Sequence, residues 1–333
     1  MVRPLRRVLT PMSTEAPITS APHHLGRRLR FGDIGLRALT AAAALLAILT
    51  IGLLVWEVLR GAHESISAFG LGFITATDWN AVTNVFGARY LIEGTLVTSF
   101  FALVIAVPLS IAIGLFLSEL APKALRAPVG LLVELLAAIP SVVLGLWGII
   151  VLGPFISTHI EPWLDDHLGF IPLFSGYASN VGVLPACLIL TIMVVPIVSS
   201  ISRELFNSVP ADLKQGALAL GATRWEMVRQ VAIPQVSAGL VAATMLGFAR
   251  AVGEAIAVAQ VIGAHNASPF GSLFKPAGTL ASWIATQFSG SATSLQRSSL
   301  YYLALILLTI SLVTNVAAQL IVRRIQKRMG VRV

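Results

Sequence analysis

The chain has 333 residues, of which 56% are hydrophobic and 11% are charged. This balance is far from that of a soluble domain and predicts an integral membrane protein. The formal net charge is +8, but the sequence has neither a basic helix face with interleaved aromatics nor zinc-finger spacing, so we expect no nucleic-acid partner. Cys187 is the single cysteine, so no internal disulfide can form.

The first 35 residues are rich in Arg, Pro, Ser and Thr and have no apolar period long enough for a core. We therefore expect residues 1–35 to form a disordered, basic cytoplasmic tail and residues 36–333 to form a transmembrane domain. The apolar run that follows the tail is too long for the hydrophobic part of a signal peptide, so it is expected to stay as an uncleaved anchor.

Six apolar stretches follow, and each is long enough to cross a hydrocarbon core of about 30 Å as a helix. The sequence therefore predicts an all-α protein with six transmembrane helices, near residues 38–56, 94–118, 129–155, 182–202, 236–263 and 298–322. Pro108, Pro140 and Pro196 lie inside the second, third and fourth spans, where a missing backbone N–H favours a kink.

Lysine and arginine residues concentrate on one side of these spans. If the N-terminus is cytoplasmic, the tail, the inner loops and the C-terminal end hold 18 of the 23 basic residues, while the outer loops hold four. The remaining one, Arg250, lies inside the fifth span. Because an excess of Lys and Arg marks the cytoplasmic side, both termini are predicted to be cytoplasmic.

The inner loop of residues 203–235 has the pattern of two short helices separated by a bend. Leu213, Ala217 and Leu220 recur at i, i+4 and i+7 and so predict one apolar helix face. Gly221 is expected to end this helix, because glycine readily adopts the left-handed conformation of a helix C-terminus. The pattern by itself fits a plain amphipathic surface loop as well as a docking element for a partner.

A capping box predicts where the second helix of this loop begins. Thr223 and Glu226 have the spacing at which each side chain accepts a hydrogen bond from the backbone N–H of the other residue. Pro234 is expected to end the loop at the membrane. The fifth span is about 24 Å long from Pro234 to Arg250 at 1.5 Å per residue, so it is the expected mechanical connection between the loop and the membrane interior.

Two charged residues lie near the middle of the fifth span. Moving such a group to the bilayer centre costs roughly 2.5–3.5 kcal/mol on insertion scales, so Arg250 and Glu254 need a function or a partner. Their spacing of four residues places them on one helix face. They either neutralise each other and hold the bundle together, or they line a pathway for an oxyanion, which a planar guanidinium binds bidentately. In the second case Glu254 holds Arg250 while the site is empty and competes with the passing anion.

Other residues of the third and fifth spans are also candidates for a structural or pathway role. Ser141 follows Pro140, and its hydroxyl either lines a polar route or, as is more usual, donates to a carbonyl of its own helix. The small residues Ala243, Gly247 and Ala251 form a row on the fifth span, which suits close packing against another helix.

The spacing within the 203–235 loop resembles the EAA motif of ABC importer permeases, which reads Glu-Ala-Ala, three residues, Gly, nine residues, Ile-x-Leu-Pro. Ala217, Gly221 and Pro234 match this motif in identity and position. Gln215 and Gly216 depart from it, and glutamine lacks the charge of the usual glutamate. In such families the motif docks in a groove of the ATP-binding subunit. The resemblance therefore assigns the coupling contacts to Leu213, Gln215, Ala217, Gly221, Ala222 and Pro234.

Further segments resemble the phosphate-specific (Pst) permeases, and the PstC type in particular, from about Leu71 to the C-terminus. These segments are Ile139–Val143, Gly145–Gly148, Arg203–Phe206, Ser208–Pro210, Ala217–Glu226, Arg250–Glu254 and Leu273–Pro276. PstA-type permeases share part of the pattern, so a PstA-type subunit remains an alternative.

The resemblance implies a type I ABC importer permease fold in the bacterial inner membrane and the import of inorganic phosphate. It also implies three protein partners: a second permease of the PstA type, a homodimer of PstB-type ATP-binding subunits and a PstS-type extracytoplasmic binding protein. The sequence has no Gly-rich loop ending in GK[ST], so a separate subunit is expected to hydrolyse ATP. We expect no catalytic residue, metal site or cofactor in this chain.

Two other functions remain open at this point. A permease for another oxyanion, such as sulfate or molybdate, would keep the docking loop without needing Arg250 and Glu254. A secondary transporter or channel would lack an EAA-like loop and would work without an ATP-binding subunit.

Overall fold

The structure is a computed structural model that describes residues 25–328 of the chain. The chain divides into two units, Met1–Leu54 and Val55–Val333. The described part of the first unit is helical and belongs to α1 (Leu25–Phe69), and its side chains from Asp33 to Leu54 are exposed.

Helix α1 begins inside the segment that the sequence predicts to be disordered. Residues 25–35 are helical. Extending a helix that has already formed adds a hydrogen bond for each residue fixed and needs no new nucleus, which favours such an extension. The rest of the predicted tail, residues 1–24, lies outside the described residues.

The second unit is built from helices and one short β ladder. After α1 its helices are α2 (Gly72–Thr75), α3 (Arg89–Leu115), α4 (Lys123–Ala138), α5 (Ser141–Trp147), α6 (Gly153–Phe155), α7 (Glu161–Leu168), α8 (Val183–Ser208), α9 (Ala211–Ala219), α10 (Arg224–Met227), α11 (Ile233–Gly253), α12 (Ile256–Val261), α13 (Leu280–Gln287) and α14 (Ser294–Arg328). Strands β1 (Trp79–Asn80) and β2 (Val85–Phe86) pair antiparallel, with Trp79 opposite Phe86.

Wider π-helical turns extend or join several of these helices. They lie at Phe116–Leu120, Gly148–Leu152, Ile156–Ile160 and Val228–Ala232. By length and composition, the described residues contain six helices able to cross a membrane: Asp33–Phe69, Arg89–Leu120, Ser141–Leu168, Val183–Ser208, Arg224–Gly253 and Ser294–Lys327. The predicted all-α class with six transmembrane helices is therefore confirmed.

The third span differs from the continuous stretch predicted over residues 129–155. The backbone is extended at Ile139 and Pro140, with ψ angles of 125° and 137°, and this separates α4 from α5. Proline lacks the N–H that would continue a helix, and it disfavours the helical conformation of the preceding residue. The predicted kink is thus a complete break, and the crossing helix begins at Ser141.

The fifth span also differs from the predicted stretch of residues 236–263. Helix α11 ends at Gly253, and Glu254 has an extended backbone with ψ of 119° before α12 begins. Glycine has a low helix propensity, and the Glu254 carboxylate accepts the backbone N–H of Ala257 at 3.3 Å. That hydrogen bond favours a new helix start over continuation of α11, because it satisfies a donor that has no partner within the first turn.

Helix α8 lies at the centre of the second unit. In its most apolar window 72% of the residues are buried, and it packs against α3 and α11. A Cβ atom on Gly247 of α11 would lie 2.8 Å from Val198 of α8, and the neighbouring Ala243 and Ala251 are buried. The row of small residues therefore packs against another helix, as predicted, because only small side chains allow this approach.

The segment between α1 and α3 packs on the end of the bundle. Phe73 stacks on Tyr302 of α14 with ring centroids 4.5 Å apart, and Trp79 meets Trp283 of α13 edge-on at 5.9 Å. Phe73 and Phe86 are fully or almost fully buried. These aromatic contacts close the bundle at the end opposite the 203–235 loop, because α14 begins there and α8 runs from there towards the loop.

Candidate functional site

Arg250 and Glu254 lie on either side of the end of α11. Arg250 is in the last turn of the helix, and Glu254 is the first residue beyond it. Arg250 Nη2 is 3.3 Å from Glu254 Oε2, while Glu254 Oε1 accepts the N–H of Ala257. The pair is therefore present as an ion pair, although it bridges a helix end and not one continuous helix face.

The two side chains of this ion pair differ sharply in exposure. The Glu254 side chain is 5% exposed, whereas that of Arg250 is 48% exposed. The carboxylate is fixed from two directions, but among the described residues the guanidinium makes one contact. That contact is longer than the roughly 2.7–2.9 Å of a strong charge-assisted hydrogen bond. Most N–H donors of Arg250 are therefore open to an anion.

Helices α5 and α12 pack closely beside this ion pair. A Cβ atom on Gly145 would lie 2.9 Å from the Cα of Ala257, and one on Gly148 would lie 2.7 Å from Cγ1 of Val261. The two glycines were singled out in the sequence only by resemblance, and the structure supplies their physical role, which is to let two helices approach closely. Because the paired positions advance together, α5 and α12 run parallel.

Ser141 and Glu254 both lie on the N-terminal side of this contact. Ser141 is one helical turn before Gly145, and Glu254 is three residues before Ala257. The breaks before α5 and α12 therefore lie at the same end of these two parallel helices. Ser141 is half-buried, and its hydroxyl has no hydrogen-bond partner among the described residues, so the expected donation to its own helix is not made.

The first residues of the 203–235 loop, up to Ser208, continue α8, and α9 follows. The predicted end of this docking helix is confirmed. Gly221 has φ of +88°. The N–H of Ala222 donates to the carbonyl of Ala217 at 3.2 Å, and the N–H of Gly221 donates to that of Leu218 at 3.0 Å. This pair of hydrogen bonds is the Schellman arrangement, which satisfies the last carbonyls of a helix and requires a left-handed residue. Glycine adopts that conformation without strain.

The predicted capping box is also confirmed, but the second helix does not stop at Pro234. Thr223 Oγ1 accepts the N–H of Glu226 at 3.3 Å, and Glu226 Oε2 accepts the N–H of Thr223 at 2.8 Å. From there α10 continues through the π-helical turn at Val228–Ala232 into α11. Pro234 has no backbone N–H, so one helical hydrogen bond is missing there. The wider π-helical turn just before it lets the helix continue without that bond. The second half of the loop is therefore one rod with the fifth span.

Helix α9 presents apolar side chains that nothing in the described chain covers. Leu213 and Leu218 are 47% and 41% exposed, and Leu220 and Trp225 beyond the helix are 91% and 63% exposed. Gln215 is exposed as well. Large apolar side chains exposed on one short segment are a feature of interaction surfaces.

Several known proteins resemble this chain in sequence. Residues 106–329 match the family described as binding-protein-dependent transport system inner membrane component. The chain belongs to this family. The permease PstC of Mesorhizobium japonicum is 41% identical over 91% of this chain and 94% of its own length. PstC of Haemophilus influenzae is 42% identical over 87% of this chain and 93% of its own length. PstC 1 of Mycobacterium tuberculosis is 39% identical over 90% of this chain and 96% of its own length.

The resemblance to PstC-type permeases predicted from the motifs is thus confirmed, since each of these relatives is named phosphate transport system permease protein PstC. A solved bacterial alginate ABC transporter has a chain with TM-score 0.59 and 17% identity, covering 89% of this chain and 98% of that one. The likeness confirms the fold of an ABC importer permease. This permease is therefore a multi-pass protein of the inner membrane.

Two ion pairs of this permease join segments that are distant in sequence, so local spacing does not identify the partners. Glu134 Oε1 of α4 lies 3.8 Å from Arg203 Nη1 of α8. Glu119 Oε1, at the end of the second span, lies 2.5 Å from Lys214 Nζ of α9. Glu119 and Lys214 are 95 positions apart, so no local spacing rule relates them. The sequence shows only that one is acidic and the other is basic. Among the described residues, no group of His, Cys, Asp and Glu could hold a metal ion.

Proposed function

We propose that this chain is a membrane-spanning subunit of an ATP-driven importer that carries inorganic phosphate into the cytoplasm. The relatives described above are named phosphate transport system permeases, which supports phosphate as the substrate. The observation that carries the proposal is the half-exposed Arg250 beside the buried, fixed carboxylate of Glu254.

The chemistry of this ion pair suits transient binding of an oxyanion. Arg250 presents a planar, positively charged fork that matches two phosphate oxygens. Glu254 is held by the N–H of Ala257, so it stays in place when Arg250 turns towards an anion. It then competes for the same guanidinium, which limits how tightly the anion is held. Passage requires binding that is strong enough to enter and weak enough to leave.

Ser141 is proposed to contribute to the same site. Its hydroxyl, which has no hydrogen-bond partner among the described residues, lies at the start of α5, where it can donate to a phosphate oxygen. The break before Ser141 exposes backbone that a membrane tolerates only inside protein or along a polar cavity. Two such breaks, at the same end of the packed helices α5 and α12 and next to Arg250, favour a polar passage there.

Energy is proposed to enter through the 203–235 loop. Leu213, Gln215, Ala217, Gly221, Ala222 and Pro234 belong to the segment that the EAA resemblance assigns to an ATP-binding subunit. The exposed apolar side chains of α9 suit a groove on a homodimer of PstB-type subunits. A PstA-type permease would complete the channel, and a PstS-type protein would deliver phosphate from outside. The distribution of Lys and Arg supports a cytoplasmic position for this loop and for both termini.

Reconstituting the complex with its partners tests the proposal directly. ATP-dependent uptake of phosphate, measured against sulfate and molybdate, is expected to favour phosphate. Preference for another oxyanion would overturn the substrate assignment. If no ATP-binding subunit co-purifies, or if uptake proceeds without ATP, the ATP-driven mechanism fails.

Substitution of Arg250 tests whether its guanidinium binds phosphate during transport. A lost hydrogen bond to a charged group costs about 1.5–3 kcal/mol, so Arg250→Gln is expected to lower uptake at limiting phosphate roughly 10- to 100-fold. Arg250→Lys should also be impaired, because it keeps the charge without the fork. The matched control is Arg89→Gln, since Arg89 Nε pairs with Glu93 at 3.0 Å with the same spacing of four residues. Equal uptake by the two glutamine variants would refute the role of Arg250.

A further inference from the structure

The docking helix α9 is attached to the second span by an ion pair. Lys214 Nζ lies 2.5 Å from Glu119 Oε1. Glu119 belongs to the π-helical turn at Phe116–Leu120, which ends the helix Arg89–Leu120. The two side chains are only 16% and 13% exposed, so the pair is largely shielded from water and from screening by salt.

The Lys214 ammonium also binds the end of the fourth span. Its Nζ donates to the carbonyl oxygen of Phe206 at 2.8 Å, and Phe206 lies in the last turn of α8. Carbonyls in a last turn lack partners within the helix and carry the negative end of the helix dipole. One cation therefore joins α9 to the ends of two spans, and both contacts are electrostatically favourable.

Other attachments of α9 to the membrane part of the chain are few. None of its residues is buried, and Ala217 is the residue of α9 that packs against the inner cluster around Phe206 and Met227. The other three ion pairs of the described chain do not involve α9. The Lys214 contacts are thus the main polar link between the docking helix and the spans that precede it.

We infer that Lys214 and Glu119 are positioning residues that transmit displacement of the docking helix to the second span. The chain itself joins the loop to the fourth and fifth spans, but it provides no connection to the second. Since α3 packs against both α8 and α11, moving its inner end changes the packing around the proposed passage. This inference rests on the proposed ATP-driven function.

The ratio of phosphate taken up to ATP hydrolysed in the reconstituted complex tests the inference. Lys214→Met keeps the apolar stem and removes the charge, and Glu119→Gln removes the opposite charge. We expect both to retain the ATP-binding subunit and to lower this ratio roughly fivefold or more, which is the lower end of ordinary coupling between sites. The control is Lys123→Met on α4, an exposed lysine without an ion pair in the described chain, which should leave the ratio unchanged.

Two further variants separate transmission from a merely structural role. The exchanged pair Glu119→Lys with Lys214→Glu should recover part of the ratio. In a Glu119→Cys, Lys214→Cys variant, a short bifunctional thiol cross-linker should restore the ratio that the uncrosslinked variant loses. The native Cys187 is buried and does not compete for the reagent.

Three results would overturn the inference. The first is an unchanged ratio of phosphate taken up to ATP hydrolysed in both single variants. The second is a cross-linked complex that hydrolyses ATP without taking up phosphate. The third is a loss of the ATP-binding subunit that is repaired neither by the exchanged pair nor by the cross-link. Failure of the proposed function is distinguishable, because it appears in the wild-type complex. If that complex imports a different oxyanion, the ratio is measured with that anion.

Discussion

Replacing Gly145 by alanine tests whether the close approach of α5 and α12 holds the proposed passage in shape. The added Cβ would lie 2.9 Å from both the Cα of Ala257 and Oε1 of Gln260, about half an ångström short of ordinary contact at 3.4 Å. Gln260 can rotate away, but the backbone of Ala257 cannot. Helix α5 must therefore shift away from α12.

The expected cost follows from two opposing effects. Overpacking by one methyl group costs about 1–3 kcal/mol, whereas alanine gains up to about 1 kcal/mol over glycine in a helix. The net destabilisation is expected to reach about 2 kcal/mol, which corresponds to roughly a 30-fold larger unfolded fraction. Ser141 lies one turn away on the same helix, so uptake should fall as well.

The assay compares thermal inactivation of the purified complex with its phosphate uptake. Gly216→Ala is the matched control, because nothing lies within 4 Å of a Cβ at that position. This change also brings the segment closer to the EAA motif, and it should stabilise α9 by about 0.5–1 kcal/mol. Wild-type stability and uptake in Gly145→Ala would show that the two helices do not depend on this approach.

Two further predictions concern the caps of the docking element. In Gly221→Ala the added Cβ meets no neighbouring atom, but alanine must adopt φ of +88°, a left-handed strain of about 1–2 kcal/mol. Less of the ATP-binding subunit should therefore co-purify with this variant. Unchanged binding would refute the need for the bend at Gly221. Thr223→Ala removes the side-chain acceptor of the capping box and should cost about 1 kcal/mol, seen as faster amide hydrogen exchange at Glu226 and Met227. Equal exchange in the two proteins would contradict a stabilising cap.

Local features of the fold were predictable from the sequence. The six spans follow from hydropathy, because a helix that crosses lipid must be apolar along its whole length. The end of α9 at Gly221 and the start of α10 after Thr223 follow from residue types within one turn of each other. The contact between Arg250 and Glu254 was likewise predictable from their spacing, although the break at Glu254 was not.

The helix break at Glu254 could not be predicted from neighbouring residues. Gly253 and Glu254 stand in an apolar run that continues beyond them, and hydropathy gives no reason for the helix to stop. What ends it is the hydrogen bond from Ala257 to Glu254 together with the packing of α12 against Gly145 and Gly148. Gly145 and Gly148 lie more than a hundred positions before α12 in the chain.

The sequence by itself determined that six apolar helices cross a membrane and that a capped, two-part loop lies on their basic side. Only the tertiary structure decided which span is central. The spans Val183–Ser208 and Ser294–Lys327 have nearly equal mean hydropathies of 2.4 and 2.2, yet 72% of the first window and 11% of the second are buried. Lipid is as apolar as a protein interior, so hydropathy cannot tell one surface from the other. Small residues such as Gly145 and Gly247 allow particular helices to approach closely, and their partners lie far away in the sequence.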